Sequence, residues 1–326
     1  MNNFLRSLEP SQQVALLFVV LFGVLTAVSV TAFLMSFRQR GRDERWHAQL
    51  KDFRRLLRTS WFMAVAFWIA WAAGPAVANV LFALIAFFAL REFITVSPTR
   101  RGDHRSLVLA FFVVLPIQFW LVATRHFDLF TVFIPVYVFL AIPVASALAG
   151  DTQRFLERTA KLQWGIVVCV YGLSHVPALM LLEFRDYEGK GAFLVFFLVF
   201  VVQSCMLVQH LLTRHLKRDP SIPAVSTSFN WYSWFLGMLL GSIAGALLSF
   251  ITPFRAWQAL AMAFIACVAG SMGHLVMKAL KRDRGVPTWG PRSIAVTGAN
   301  GLLDRVDALC FAAPIFFHSA RWYAGA

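Results

Sequence analysis

Long apolar runs separated by short charged breaks make up most of this chain. Runs at 13–35, 106–124, 127–148, 162–182, 192–213, 231–251, 257–278 and 306–323 each approach the length that crosses a hydrocarbon core. Residues 61–93 read as a hairpin of two shorter segments, because proline and the residue before it disfavour helix at Gly74-Pro75. The pattern predicts an all-α, polytopic integral membrane protein with about nine to ten transmembrane helices. The expected organisation is one membrane domain over 1–326: a first span at 13–35, a basic segment at 36–60, central helices over 61–280, and a final loop and helix over 281–326. Prolines at 116, 135, 143 and 177 predict kinks whose freed carbonyls need protein or water partners.

The charged breaks alternate. Loops 36–60, 94–105, 150–161, 214–230 and 279–305 carry most of the Lys and Arg, while those near Gly74 and at 125–126, 183–191 and 252–256 carry few. Alternate loops thus agree on one orientation, both termini outside and the basic loops cytoplasmic. The most basic stretch, Arg38 to Arg58, sets Trp46, Phe53, Leu56 and Leu57 among eight Lys or Arg. It reads either as an amphipathic helix on an anionic leaflet or as a plain cytoplasmic loop.

Composition agrees with this reading: 59% apolar, 14% charged, mean hydropathy +0.67. The net charge of +14 is spread between apolar runs and gathers on no soluble module. It therefore fits anionic lipid headgroups and excludes a nucleic-acid-binding domain. Cys169, Cys205, Cys267 and Cys310 all fall inside apolar runs without Cys-x-x-Cys spacing, and read as buried small hydrophobes. The run at 13–35 is long enough to stay as a span, so no cleaved signal peptide is expected.

The stretch Gly298 to Asp307 is the densest chemistry in the chain. It sets Asp304, Arg305 and Asp307 within four residues, directly before an apolar run from Ala308. Carboxylates at the end of a membrane helix are costly, so the cluster reads as a cation or phosphate site; a helix cap favoured by the macrodipole is the alternative. The block Gly298 to Phe316, with Leu302-Leu303-Asp304-Arg305-Val306-Asp307 and Ala313-Pro314-Ile315-Phe316, resembles the C-terminal signature of the CTP:phosphatidate cytidylyltransferase family, the CDP-diacylglycerol synthases. The segment from Gly273 to Val286 is similar to the family's stretch carrying a Lys-Arg pair, and Ala89 to Phe93 extends the likeness more weakly.

The resemblance implies transfer of a cytidylyl group from CTP to phosphatidic acid, with Mg²⁺ as cofactor, in a homodimer of the bacterial inner membrane with its signature loops in the cytoplasm. Asp304 is then a metal ligand, with Lys281 and Asp307 beside it in the catalytic set. Lys281 and Arg282 hold phosphate oxygens, although they also read as ordinary positive-inside anchors. Arg305, Lys278 and Ser226 complete the substrate-binding set.

The chain departs from the family pattern at several positions. His274 stands where the family has the Asp that partners the signature Asp on the metal, which makes Asp304 and His274 the expected ligand pair. Lys278 replaces a Ser, Pro287-Thr288 a Lys-Asp pair, and Ala299-Asn300-Gly301 a His-Gly-Gly. The window Cys205-Met206 to Arg214 replaces an Asn-Asp and a Gly-Lys, and Ser226 to Ser233 a Ser-Pro-x-Lys-Thr-x-Glu-Gly stretch. Imidazole is a poorer Mg²⁺ ligand than carboxylate. Lys278, one helical turn after His274, is expected to neutralise Asp304 in place of a cation. Ser174-His175, Gln203 and Gln209-His210 lie inside spans and are expected to face a cavity or another helix. Glu92 is a further acid expected near the pocket, or else a surface partner of a basic neighbour. Three functions follow: a cytidylyltransferase; a non-catalytic relative that binds phosphatidic acid or another anionic phospholipid, or serves another enzyme as membrane partner; and, more weakly, a transporter or scramblase.

Overall fold

The computed structural model describes residues 10–37, 44–96, 99–184, 187, 190–216, 219–286, 289 and 301–325. Among them the regular structure is helical, with no strand. The chain divides into two compact units, Met1–Gly74 and Pro75–Ala326.

The first unit holds α1 (Pro10–Phe37) and α2 (Glu44–Ala72), packed as an antiparallel hairpin. Aromatic rings form the seam: Phe18 lies 5.2 Å from Phe67 and 5.4 Å from Trp71, and Phe22 lies 5.6 Å from Trp61. The Trp61 indole N–H donates to Ser29 Oγ at 2.9 Å, so the one polar atom of that ring has a partner. Residues 44–60 are neither a loop nor a separate surface helix. They run unbroken into the apolar residues 61–72 as α2. Residues 38–43 of the basic stretch lie outside the described residues.

Gly74 ends the run with φ +86, a backbone region open to glycine. The second unit begins at Pro75 within α3 (Gly74–Val96), followed by α4 (Arg101–Ala123), α5 (Phe127–Ala147), α6 (Phe155–Met180), α7 (Gly191–Leu216), α8 (Trp231–Leu247), α9 (Ala256–Asp283) and α10 (Leu303–Ala324). Among the described residues six helices are long and apolar enough to cross a membrane: α3, α4, α5, α6, α7 and α9. The α8 helix is apolar but only 17 residues long. The charged ends of α10 lower its hydropathy, yet its middle is interior, with Val306, Leu309, Ala313, Phe316 and Phe317 all buried.

Three of the four prolines expected to kink their helices lie in or near widened turns, while Pro143 sits inside ordinary α-helix. Ala110–Val114, Phe133–Val138 and Ile166–Tyr171 are π-helical, just before Pro116, around Pro135 and one to two turns before Pro177. A proline has no N–H to return to the preceding turn, and a π-bulge is a common way to absorb that loss.

Within the second unit α10 packs against α6, α7 and α9. Two glycines let it in. A Cβ at Gly172 of α6 would stand 2.3 Å from the Cys310 carbonyl oxygen, and one at Gly273 of α9 would stand 2.3 Å from the Phe311 ring. Small residues at such crossings let backbones approach closely, which is how membrane helices gain contact without a hydrophobic drive. All four cysteines are buried free thiols. Ser174 and His175 are wholly buried on α6, facing the interior as expected.

A polar lock ties α4 to α6. Arg158 Nε donates to Asp103 Oδ1 at 2.8 Å, and its Nη1 meets Asp151 Oδ2 at 2.9 Å. The backbone carbonyls of Gln153 and Asp151 accept its remaining N–H groups. This pairing explains why α6 starts at Phe155, seven residues before the apolar run that marks it in the sequence.

Candidate functional site

Two helix ends of opposite polarity meet in the second unit. α9 runs past its apolar stretch to Asp283, which carries Lys278, Lys281 and Arg282 onto its last turns. α10 starts at Leu303, which puts Asp304 in its first turn. Cations suit the carbonyl end of a helix and anions the amide end, so each terminus favours the charges it bears.

The contacts across this junction are specific. The Lys281 ammonium is ion-paired with Asp304 Oδ1, with only 15% and 10% of the two side chains exposed. The backbone N–H of Trp289 reaches Asp304 Oδ2 at 3.3 Å. One turn further along α10, Asp307 Oδ2 lies 2.8 Å from His274 Nδ1, and Asp307 Oδ1 accepts from the Ala308 N–H at 2.7 Å. Glu92, near the end of α3, accepts from the N–H groups of Leu302 at 3.1 Å and Leu303 at 2.8 Å. Beside it the Phe93 ring stacks on Trp289, centroids 5.4 Å apart. Three carboxylates and two cationic or imidazole groups therefore come together from α3, α9 and α10.

The expected residues sort unevenly. Lys281, Asp304, Asp307 and His274 are brought together, and Lys278 on the same face of α9 lies within electrostatic reach of Asp307. The ammonium seated on Asp304 is that of Lys281, not the Lys278 expected from the sequence. His274 is engaged with Asp307, so the pairing of His274 with Asp304 on one cation is not the arrangement found. Arg305 is half-buried in the first turn of α10. Arg282 is exposed and turns away, its Nε 3.3 Å from the Ala224 carbonyl and its Nη2 3.4 Å from that of Pro223. Ser226 is buried in that same 219–230 loop, with its Oγ 3.4 Å from Ser228 Oγ. Arg282 thus ties the Ser226 loop to the end of α9. Gly298, Ala299, Asn300, Pro287 and Thr288 lie outside the described residues.

Mg²⁺ implied by the resemblance meets a poor donor set here. No group of three His, Cys, Asp or Glu side chains is placed to hold a metal ion among the described residues. Every carboxylate oxygen of Glu92, Asp304 and Asp307 already faces an N–H, an ammonium or an imidazole. As arranged, these residues do not fit a divalent cation.

Sequence reasoning missed Trp289. Its signal was faint: an isolated aromatic in the polar 279–305 loop, which is buried to 1% exposure and joins α3 to Asp304.

The fold and site define a helical, membrane-type protein with a charged cluster where two helix ends meet. Comparison with known proteins makes the class definite. The profile of the cytidylyltransferase family matches residues 53–323, and the chain belongs to that family. It is also similar to YnbB of Escherichia coli (strain K12), an uncharacterized protein, at 32% identity over 267 residues, 82% of this chain and 86% of that one.

Proposed function

We propose that the chain carries out CTP-dependent cytidylyl transfer to an acidic phospholipid, with phosphatidic acid as acceptor and CDP-diacylglycerol and pyrophosphate as products. A phosphate oxygen of the lipid forms a bond to the α-phosphorus of CTP as the α–β anhydride bond breaks, and pyrophosphate leaves. The reaction gathers several negative charges, so it needs fixed cations where they meet. Lys281 and Lys278 on α9 and Arg305 on α10 are the groups suited to that work, with Asp304 holding Lys281 in place. The observation that carries this reading is the junction of the α9 and α10 ends, where the family's signature acids meet its basic segment.

In this reading the remaining helices also span the bilayer, giving nine to ten crossings in all. The Lys- and Arg-rich loops lie in the cytoplasm, where CTP is present, and the location is a bacterial inner membrane. The lipid enters sideways from the bilayer.

A second reading has one specific observation in its favour: all three site carboxylates are already satisfied within the protein. A family member that binds an anionic phospholipid without turnover fits that arrangement. The deciding experiment incubates purified protein in mixed micelles with CTP labelled at the α-phosphate and phosphatidic acid. Label entering the lipid fraction, lost in Asp304→Ala, supports transfer. No labelled lipid, with anionic phospholipid retained through purification, supports the binding reading.

A further inference from the structure

Glu92 comes from α3, some 210 residues away in sequence, and places its carboxylate across the first two amides of the signature helix. Those N–H groups have no partner within a helix and must find one elsewhere. Elsewhere in proteins such a terminus often receives a substrate phosphate. Here the protein fills it with its own buried anion, only 7% exposed. The neighbouring Phe93 supports Trp289, whose backbone N–H meets Asp304 from the other side. The last turns of α3 therefore hold both the start of α10 and Trp289, whose backbone touches Asp304.

We propose that Glu92 is a positioning residue: it seats the N-terminus of α10 on α3, sets where Asp304 stands relative to Lys281, and keeps substrate phosphate off that helix end. Phosphate groups are thereby left to Lys281, Lys278 and Arg305. Glu92 touches no reacting atom. Its part in turnover rests on the transfer reaction proposed above, while its hold on α10 does not.

Two measurements test it. Hydrogen exchange on the intact protein in detergent follows the Leu302 and Leu303 amides in wild type, Glu92→Gln and Glu92→Asp. The glutamine keeps the size but can offer only one neutral acceptor, so exchange at these amides is expected to rise about tenfold or more, with central α3 unchanged as control. Unaltered exchange at Leu302 and Leu303 overturns the proposal. In the transfer assay, kcat of Glu92→Gln per folded protein is expected to fall about tenfold or more while KM for CTP holds. Glu92→Asp, which keeps the charge, should recover part of it. A variant that melts earlier but keeps its kcat also overturns the proposal. If wild type transfers no label, the reaction assigned to the protein fails, and the exchange experiment alone decides the role of Glu92.

Discussion

Replacing Gly273 by alanine sets two effects of opposite sign against each other. In an exposed helix, glycine to alanine stabilises by about 1 kcal/mol, because glycine loses the most backbone freedom on folding. At this position the added Cβ would stand 2.3 Å from Phe311 Cγ and 2.4 Å from its Cβ. Ordinary carbon–carbon contact is about 3.5–4.0 Å, so α9 and α10 must part locally by roughly 1.2 Å or Phe311 must leave its rotamer. Overpacking of this kind costs about 1–3 kcal/mol, which outweighs the propensity gain. The neighbouring residue is His274, whose bond to Asp307 is 2.8 Å long. A parting of roughly 1.2 Å carries that contact beyond hydrogen-bond range. Thermal unfolding in detergent, followed by tryptophan fluorescence, should show Gly273→Ala melting below wild type. Adding Phe311→Gly, which removes the Cβ as well as the ring, should give a double variant that loses less than the sum of the two single losses, because the two side chains compete for one space. A single variant as stable as wild type, or a double variant with merely summed losses, refutes the packing described for α9 and α10.

Other consequences follow from the polar lock between α4 and α6. Asp103→Asn removes one of the two carboxylates that pair with the buried Arg158 and leaves Asp151 as the other, so the loss is that of a charge-assisted hydrogen bond, about 1.5–3 kcal/mol, to be read as a lower melting temperature; an exposed pair such as Arg125–Glu183 should cost well under 1 kcal/mol. The Asp151 carboxyl is held below its ordinary value of 3.8, first by the Gln153 backbone N–H and then by Arg158 and Arg100. A depressed carboxyl stabilises the fold above its unfolded value, and that contribution drains away as pH falls through the lower folded value. Stability is therefore expected to be flat in this respect near neutrality and to fall below about pH 4. Asp151→Asn should flatten that acid limb in a melting-temperature series, and an unchanged limb contradicts the assignment.

The helices were legible because length and unbroken hydropathy carry them, and Gly74-Pro75 marked the one break between α2 and α3. Their ends were less so. Arg158 looks like a loop cation until Asp103, 55 residues earlier, is placed against it, and no local pattern encodes that meeting. The signature acids and Lys281 were visible because charge beside an apolar run is costly and needs a reason. Which lysine sits on Asp304 was not visible. Lys278 and Lys281 are a turn apart on one helix, so spacing admits either; the choice falls to Lys281 because α9 continues to Asp283 instead of ending at 278. His274 likewise shares a face with Lys278, and only the register of α10 directs it to Asp307. Glu92 was placed near the site by its position at a helix end, but its use as a cap depends on where α10 begins.

The meeting of α9 and α10 on one side of the bilayer is tested most directly by cysteines at positions 281 and 304 in native membranes. A short bis-maleimide should join Lys281→Cys to Asp304→Cys within one chain, and a membrane-impermeant thiol reagent applied from the cytoplasmic face alone should block both. Failure to join them, or labelling of the two positions from opposite faces, contradicts the site.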